Sequence, residues 1–394
     1  MQTRASNRLK GLHLYLAISS LVNLATWVLL LLPNFLQQKG WSGQGIGWAM
    51  GAYFSVNLVS QIIAGEIADR RGSVKTALAG VGVGVASGVL YVFAGWWTWL
   101  IIPARLFHGA AAGLISSGAL IELTQSVPME RKGQVIGYFG LPGFVMIGIG
   151  PLLAEWLVYI GGFQTSFLLI LVSFALTGWL LLRLPQSLVD APASRTPFYI
   201  VLKASFVRLK RILVFSIFFG LCFSCWNGFL APTVRGLGAG AVSSFGTGYA
   251  LGAVVTRLGL SHSMGTHRRR LIAISSLFAY GAGLVLIPHA YASWNLLVIG
   301  AVCGMGHGIY YPSLSSLAAE RFHPLYQGQG MSLYVSASGL GHFMGPPIWG
   351  ALADKFGYSL IFLLSGSLLA LAVATFVTAE SRRGPHGQAR PNTG

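Results

Sequence analysis

The 394-residue chain is 54% hydrophobic and only 9% charged. A soluble domain carries roughly 25% charged residues, so this composition excludes a water-facing surface of the ordinary kind. The formal net charge of +17 would suit a nucleic-acid partner, but the Lys and Arg residues are spread through short connections between apolar runs, which argues against nucleic acid. The apolar surplus has to face lipid, and the fold class expected is an all-α membrane protein.

Met1–Lys10 is polar and basic, and no small-residue cleavage site follows the first apolar run. That run therefore reads as a spanning helix and not as a removed signal peptide. A helix needs about 20 apolar residues to cross a bilayer. Runs of that length predict helices near 12–34, 44–64, 76–97, 99–121, 133–156 and 164–183. A polar, basic stretch with three prolines, 184–210, reads as a cytoplasmic connector. Six further runs follow near 211–232, 242–260, 271–290, 294–319, 328–351 and 359–379, and 381–394 reads as a disordered cytoplasmic tail. The expected organisation is twelve transmembrane helices in two six-helix halves, 1–183 and 211–380.

Charge orients this arrangement. With the N-terminus inside, 22 of the 26 Lys and Arg residues fall on the cytoplasmic side, leaving Lys39, Arg105, Arg235 and Lys355. Cytoplasmic connections carry the excess of positive residues, so both termini are expected there. The halves also echo one another. Gly150-Pro151, Gly162 and Phe167-Leu168-Leu169 recur at one constant offset as Gly345-Pro346, Gly357 and Phe362-Leu363-Leu364. His108-Gly109 and His307-Gly308 occupy corresponding places in the fourth and tenth helices. Parallel repeats of this kind are related by an axis along the membrane normal.

The connection after the second helix reads Gly65-Glu66-Ile67-Ala68-Asp69-Arg70-Arg71-Gly72-Ser73-Val74-Lys75. It resembles the G-x-L-a-D-r-x-G-r-k signature of the major facilitator superfamily. An ordinary basic loop would account for Arg70 and Lys75, but not for Gly65, Asp69 and Gly72 at this spacing. The resemblance implies the major facilitator fold, a monomer of the bacterial-type cytoplasmic membrane, and a cytoplasmic latch between conformations. A weaker copy, with Gly265 and Arg268, lies between the eighth and ninth helices, where His262 replaces the aspartate. Gly350 to Gly357, with Asp354, repeats the spacing at the outer end of the eleventh helix.

The fourth helix carries Arg105-Leu106-Phe107-His108-Gly109, similar to the R-x-x-q-G motif of the family's drug:proton antiporter group. The fifth carries Gly148-Ile149-Gly150-Pro151, similar to that group's Gly-Pro motif, with Ala154-Glu155 where a glycine pair is usual. This resemblance implies efflux of an amphipathic compound against protons.

Ionisable residues at membrane depth are costly and usually mark a substrate or proton path. Those in the apolar runs are Arg105, His108, His307 and His342. In the fold that the resemblance implies, helices 1, 4, 7 and 10 line a central cavity, and His108 and His307 would face each other across it. A buried histidine can equally pack between helices and bond a carbonyl. Asn23, Trp27, Trp226, Asn227, Tyr310 and Tyr311 are the further residues suited to stacking on or hydrogen-bonding a cargo. All nine acids fall at helix ends or in connections. If protons are coupled, histidine, with an unperturbed pKa of about 6.5, is the expected carrier.

Two other cargoes stay open. Cys303-x-Met305-x-His307, His342-x-Met344 and Cys222-x-x-Cys225 would suit a soft metal, although Met and Cys in apolar helices are usually packing residues. An organic anion could use Arg105 as its counter-charge. No resident metal or cofactor is expected, and the sequence shows no nucleophile–base constellation or phosphate-cradling loop that would suggest an enzyme.

Overall fold

A computed structural model describes residues 11–184, 198–238, 240–259, 266–319 and 327–381. Every regular element among them is helical, as lipid demands of a chain whose main-chain polar groups must bond within their own segment. In chain order these are α1 (Leu12–Gln38), α2 (Gly43–Arg71), α3 (Ser73–Ala94), α4 (Ile101–Gln125), α5 (Met129–Gly161), α6 (Phe163–Leu181), α7 (Phe198–Thr233), α8 (Ala241–Gly259), α9 (Thr266–Leu286), α10 (Ser293–Ala319), α11 (Gln327–Phe356) and α12 (Tyr358–Ser381). Of the described helices, α1 to α7 are each long and apolar enough to cross a membrane.

Three boundaries differ from expectation. α1 passes through a tight 3-10 turn at Val28–Leu31 and continues to Gln38. α2 runs on to Arg71, so Gly65, Asp69 and Arg70 are helical and only Gly72, with φ of +91°, separates α2 from α3. α7 begins at Phe198, so residues 198–210 of the expected connector are helical. Polar and charged residues in these stretches mask helix from a reading based on apolar runs, because a helix end outside the hydrocarbon needs no apolar surface. Residues 185–197 and 382–394 lie outside the described residues.

The packing is a pattern stated twice. α1 packs on α5 and α6, α2 on α4, and α3 on α4 and α6. α7 packs on α11 and α12, α8 on α10, and α9 on α10 and α12. The two six-helix groups meet along α2 against α11 and α5 against α8. Small residues permit these approaches where no hydrophobic force acts between helices. On α8 and α10, a Cβ at Gly248, Gly252, Gly300 or Gly304 would run into a main-chain carbonyl of the facing helix.

Candidate functional site

A cavity of about 220 Å³ lies between the two groups. α1 supplies Asn23, Thr26, Trp27, Leu29 and Leu30 to its wall, α2 supplies Met50, Tyr53 and Phe54, and α4 supplies Arg105. The second group adds Phe223 and Asn227 from α7 and His342 from α11.

Arg105 is 2% exposed. Its Nε donates to the Ala49 carbonyl (3.1 Å) and its Nη2 to the Met50 carbonyl (3.0 Å). The guanidinium also lies 4.8 Å from the Tyr53 ring centre, a favourable cation–π position. Arg105 thus fastens α4 to α2. Among the described residues no carboxylate pairs with it.

Trp27 of α1 stacks on Trp226 of α7, with ring centres 5.8 Å apart and planes 3° from parallel. Trp226 is fully buried, and its indole N–H donates to the Tyr280 hydroxyl at 2.8 Å. On the wall below, His342 sits between Phe54 and Phe223, with ring centres 5.0 and 4.8 Å away. Its Nδ1–H donates to the Ser338 carbonyl at 2.7 Å.

The other two histidines do not face each other. His108 is fully buried within the first group, ringed by Tyr53, Tyr91 and Phe174. It hydrogen-bonds the Thr26 hydroxyl (3.4 Å) and the Tyr91 hydroxyl (3.5 Å). Neighbouring Gly109 abuts the Tyr53 carbonyl, so α4 and α2 pack closely beside it. His307 hydrogen-bonds the Tyr249 hydroxyl at 2.5 Å and packs among Phe144, Phe219 and Phe223. Tyr310 is buried against Phe219 and is not part of the wall. The side chains of Tyr311 and Arg268, and Gly265 altogether, lie outside the described residues.

Gly148, Gly150 and Pro151 build helix contacts and are not in the wall of this cavity. A Cβ on Gly150 would overlap Trp27, and one on Gly148 would crowd Ala250 of α8. Gly246 of α8 lies against the Ile147 carbonyl and Pro151, while Gly47 of α2 lies against the Pro346 carbonyl of α11. The two groups are therefore in close contact at both seams.

At the end of the bundle away from the described termini, two carboxylates reinforce those seams. Asp354 of α11 accepts from the Gly43 N–H (2.5 Å) and the Gln44 N–H (2.8 Å) at the start of α2. Glu155 of α5 accepts from the Val242 N–H (3.1 Å) and the Ser243 N–H (3.3 Å) at the start of α8. The first N–H groups of a helix lack partners within it and carry a positive end of the helix dipole. Each group thus caps a helix of the other. Neither role is legible in sequence, because the partner is a main-chain amide remote along the chain.

At the opposite end, Arg70 pairs with Glu66 at 2.6 Å on the exposed surface of α2. Asp69, Arg71 and Lys75 are exposed, and Asp69 has no hydrogen-bond or ion-pair partner among the described residues. Gly65 has open space around it.

The soft-metal set does not converge. The Cys222 and Cys225 thiols face the Ser365 and Ile361 carbonyls of α12, and Cys303 faces the Tyr280 carbonyl. Met305 and Met344 point to the outside of the bundle. Among the described residues no three His, Cys, Asp or Glu side chains group to hold a metal.

Comparison with known proteins places this geometry. The family profile described as Major Facilitator Superfamily matches residues 14–346 and 227–393. A protein of Burkholderia mallei (strain SAVP1) described as an uncharacterized MFS-type transporter is 26% identical over 363 residues, covering 90% of this chain and 88% of the relative. A Salmonella typhimurium (strain LT2) protein of the same description is 23% identical, covering 88% and 90%. Among solved structures, the nucleoside transporter NupG superposes with a TM-score of 0.74 at 16% identity, covering 93% of this chain and 99% of that one. The human organic anion transporter MFSD10 (TETRAN) superposes with a TM-score of 0.69 at 16% identity, over the same shares. At such identities the structural likeness is one of fold. The family match spans most of the chain, which therefore belongs to the Major Facilitator Superfamily of membrane transporters.

Proposed function

We propose that this protein carries a small organic molecule across the membrane by alternating access, binding it in the cavity between α1, α2, α4, α7 and α11. The cavity itself carries the reading. It lies between the two helix groups, and aromatic side chains and convergent polar groups from both of them form its wall. A site shared by two rocking bodies can be exposed first to one side and then to the other. Nucleosides and organic anions, the cargoes named for two transporters of the same fold, are of the size such a cavity takes.

In this reading all twelve helices span, both termini face the cytoplasm, and the protein works as a monomer in a bacterial-type cytoplasmic membrane. Asp354 and Glu155 close the outer side, and the unpartnered Asp69 is the released cytoplasmic latch, so the conformation is open inward. Export of an amphipathic compound fits an inward-open cavity walled by Trp27, Tyr53, Phe54 and Phe223. If protons drive export, His342 is the carrier best placed, since it alone of the three membrane histidines is on the cavity wall. The thiol and methionine positions lend no support to a metal cargo.

The test is efflux of amphipathic dyes from an efflux-deficient bacterial host. Expression should lower dye accumulation, and Trp27→Ala should abolish the effect while the protein still reaches the membrane. Accumulation equal to that of the empty host across dyes, lipophilic drugs and organic acids would remove the reading.

A further inference from the structure

One polar side chain in the cavity wall has no partner in the protein. Asn227 lines the cavity from α7 and is 7% exposed, yet its carboxamide makes no hydrogen bond among the described residues. A carboxamide carries two N–H donors and an acceptor oxygen, and buried polar groups are ordinarily bonded. Its neighbour Trp226, whose indole N–H is bonded to the Tyr280 hydroxyl, fixes the rotation of α7 at this turn. Asn227 is therefore held in place and left bare, which suits a group that bonds what enters the cavity.

Two further wall residues are bare in part. Asn23 gives its Nδ2–H to the Ser19 carbonyl at 2.8 Å, which leaves its Oδ1 as an acceptor. His342 gives its Nδ1–H to the Ser338 carbonyl, so in this neutral form its Nε2 is an acceptor as well. The wall thus offers one two-sided amide and two acceptors, and a cargo that satisfies them has to bring N–H or O–H donors.

Charge and shape narrow the cargo further. No described carboxylate lines the cavity, so a cation would find no counter-charge there. Arg105, 2% exposed, is held by the Ala49 and Met50 carbonyls and the Tyr53 ring, and gives the cavity almost none of its surface. Phe223 lies one helical turn before Asn227 on the same face of α7, and its ring centre is 6.3 Å from that of Trp27 on α1. Apolar rings therefore stand directly beside the bare amide. The volume of about 220 Å³ falls below the roughly 300–1,000 Å³ of pockets for drug-sized ligands, which limits the body to one or two rings.

Resting on the transport reading above, we infer that the cargo is an uncharged, flat molecule of one or two rings with an amide-type edge, an N–H beside a C=O, and that Asn227 selects that edge. The carboxamide N–H donates to the cargo C=O, and the carboxamide oxygen accepts from the cargo N–H. The cargo body lies against Trp27 and Phe223. A molecule of the same shape without the N–H leaves the Asn227 oxygen buried and unpaired, which is how such a site rejects it.

The test uses the purified full-length protein and three flat two-ring probes: isocarbostyril, a cyclic amide; its N-methyl derivative, which lacks the N–H; and naphthoate, which is charged. The midpoint of thermal unfolding is followed against probe concentration. Isocarbostyril should raise it at about tenfold lower concentration than the N-methyl derivative, the size expected for one hydrogen bond at a buried group. In Asn227→Leu the two should act alike. The probe-free midpoint of Asn227→Leu should be no lower than that of the wild type, because the substitution breaks no bond within the protein; a clear fall would make Asn227 a structural residue and overturn its assignment. Equal affinity of the wild type for the two amides overturns recognition of the edge, and that comparison needs no variant to fold. Discrimination that persists in Asn227→Leu assigns the edge to another residue. Naphthoate binding more tightly than isocarbostyril overturns the uncharged cargo. Protection by none of the three overturns the whole inference, whereas the transport reading stands or falls separately with dye efflux from the host.

Discussion

Asp354 and Gly43 are 311 positions apart in the chain and joined by a 2.5 Å hydrogen bond, from the Gly43 main-chain N–H to the carboxylate. The bond binds the eleventh helix to the start of the second, and Glu155 makes the equivalent connection from the fifth helix to the eighth. Neutralising either carboxylate weakens both its hydrogen bonds and its attraction to the helix dipole, at a cost of about 1–2 kcal/mol. Asp354→Asn combined with Glu155→Gln should therefore open this end of the bundle more often. A cysteine placed at the exposed Trp97, in a background whose native cysteines are buried, is a control unaffected by closure, whereas one at the fully buried Ile46, next to the seam residue Gly47, reports on it. Labelling at position 46 by a membrane-impermeant maleimide should accelerate at least fivefold in the double variant. An unchanged ratio between the two sites would mean that the carboxylates do not hold the seam.

Trp226 and Trp27 form one stack but have different work. Trp226 is fully buried and its N–H is bonded to Tyr280, so Trp226→Ala should lower stability by about 3–5 kcal/mol through cavity formation. Trp226→Phe keeps most of the ring and loses the hydrogen bond, for about 1 kcal/mol. Tyr280→Phe should cost a similar amount, and the double variant less than the sum, because one bond is counted twice. Unfolding midpoints of the purified variants check this. Strict additivity would show the bond to contribute nothing.

Much of this architecture was legible in the amino-acid order. Apolar runs located the helices, because lipid permits little else, and the paired Gly-Pro motifs announced the repeat that recurs in the packing. The site was harder. Arg105, Trp27, Asn23, Asn227 and His342 stand out by chemistry and do line the cavity, but Phe54 and Phe223 are two phenylalanines among 23 and carry no local signal. His108 shows the converse. Its sequence position matches that of His307, yet it packs among Tyr53, Tyr91 and Phe174 within the first group, contacts that no local sequence pattern announces.

The histidines separate by the same geometry. His108 is enclosed by Tyr53, Tyr91 and Phe174, whereas His342 faces the cavity. In proteoliposomes with an imposed proton gradient, His342→Gln should flatten the pH dependence of transport. His108→Gln should lower the unfolding midpoint and leave the shape of the pH profile as it was. A profile that changes with His108 and not with His342 would reverse the assignment.

Asp69 is the last test, because it concerns a contact that this conformation does not make. Its carboxylate lies exposed near the end of α2 beside Arg70, which is already paired with Glu66. Substitution by Asn removes a charge from water and breaks no described contact, so folding should be unaffected, with the unfolding midpoint shifted by no more than about 0.5 kcal/mol equivalent. If the residue engages the second group only when the cytoplasmic side closes, the loss falls on turnover. Transport by Asp69→Asn should then drop several-fold at unchanged apparent affinity. Glu66→Gln, which removes the neighbouring charge and the surface pair, should keep its rate, since an exposed pair of this kind contributes little. Equal rates in wild type and Asp69→Asn would make the motif a structural turn around Gly72 and not a latch.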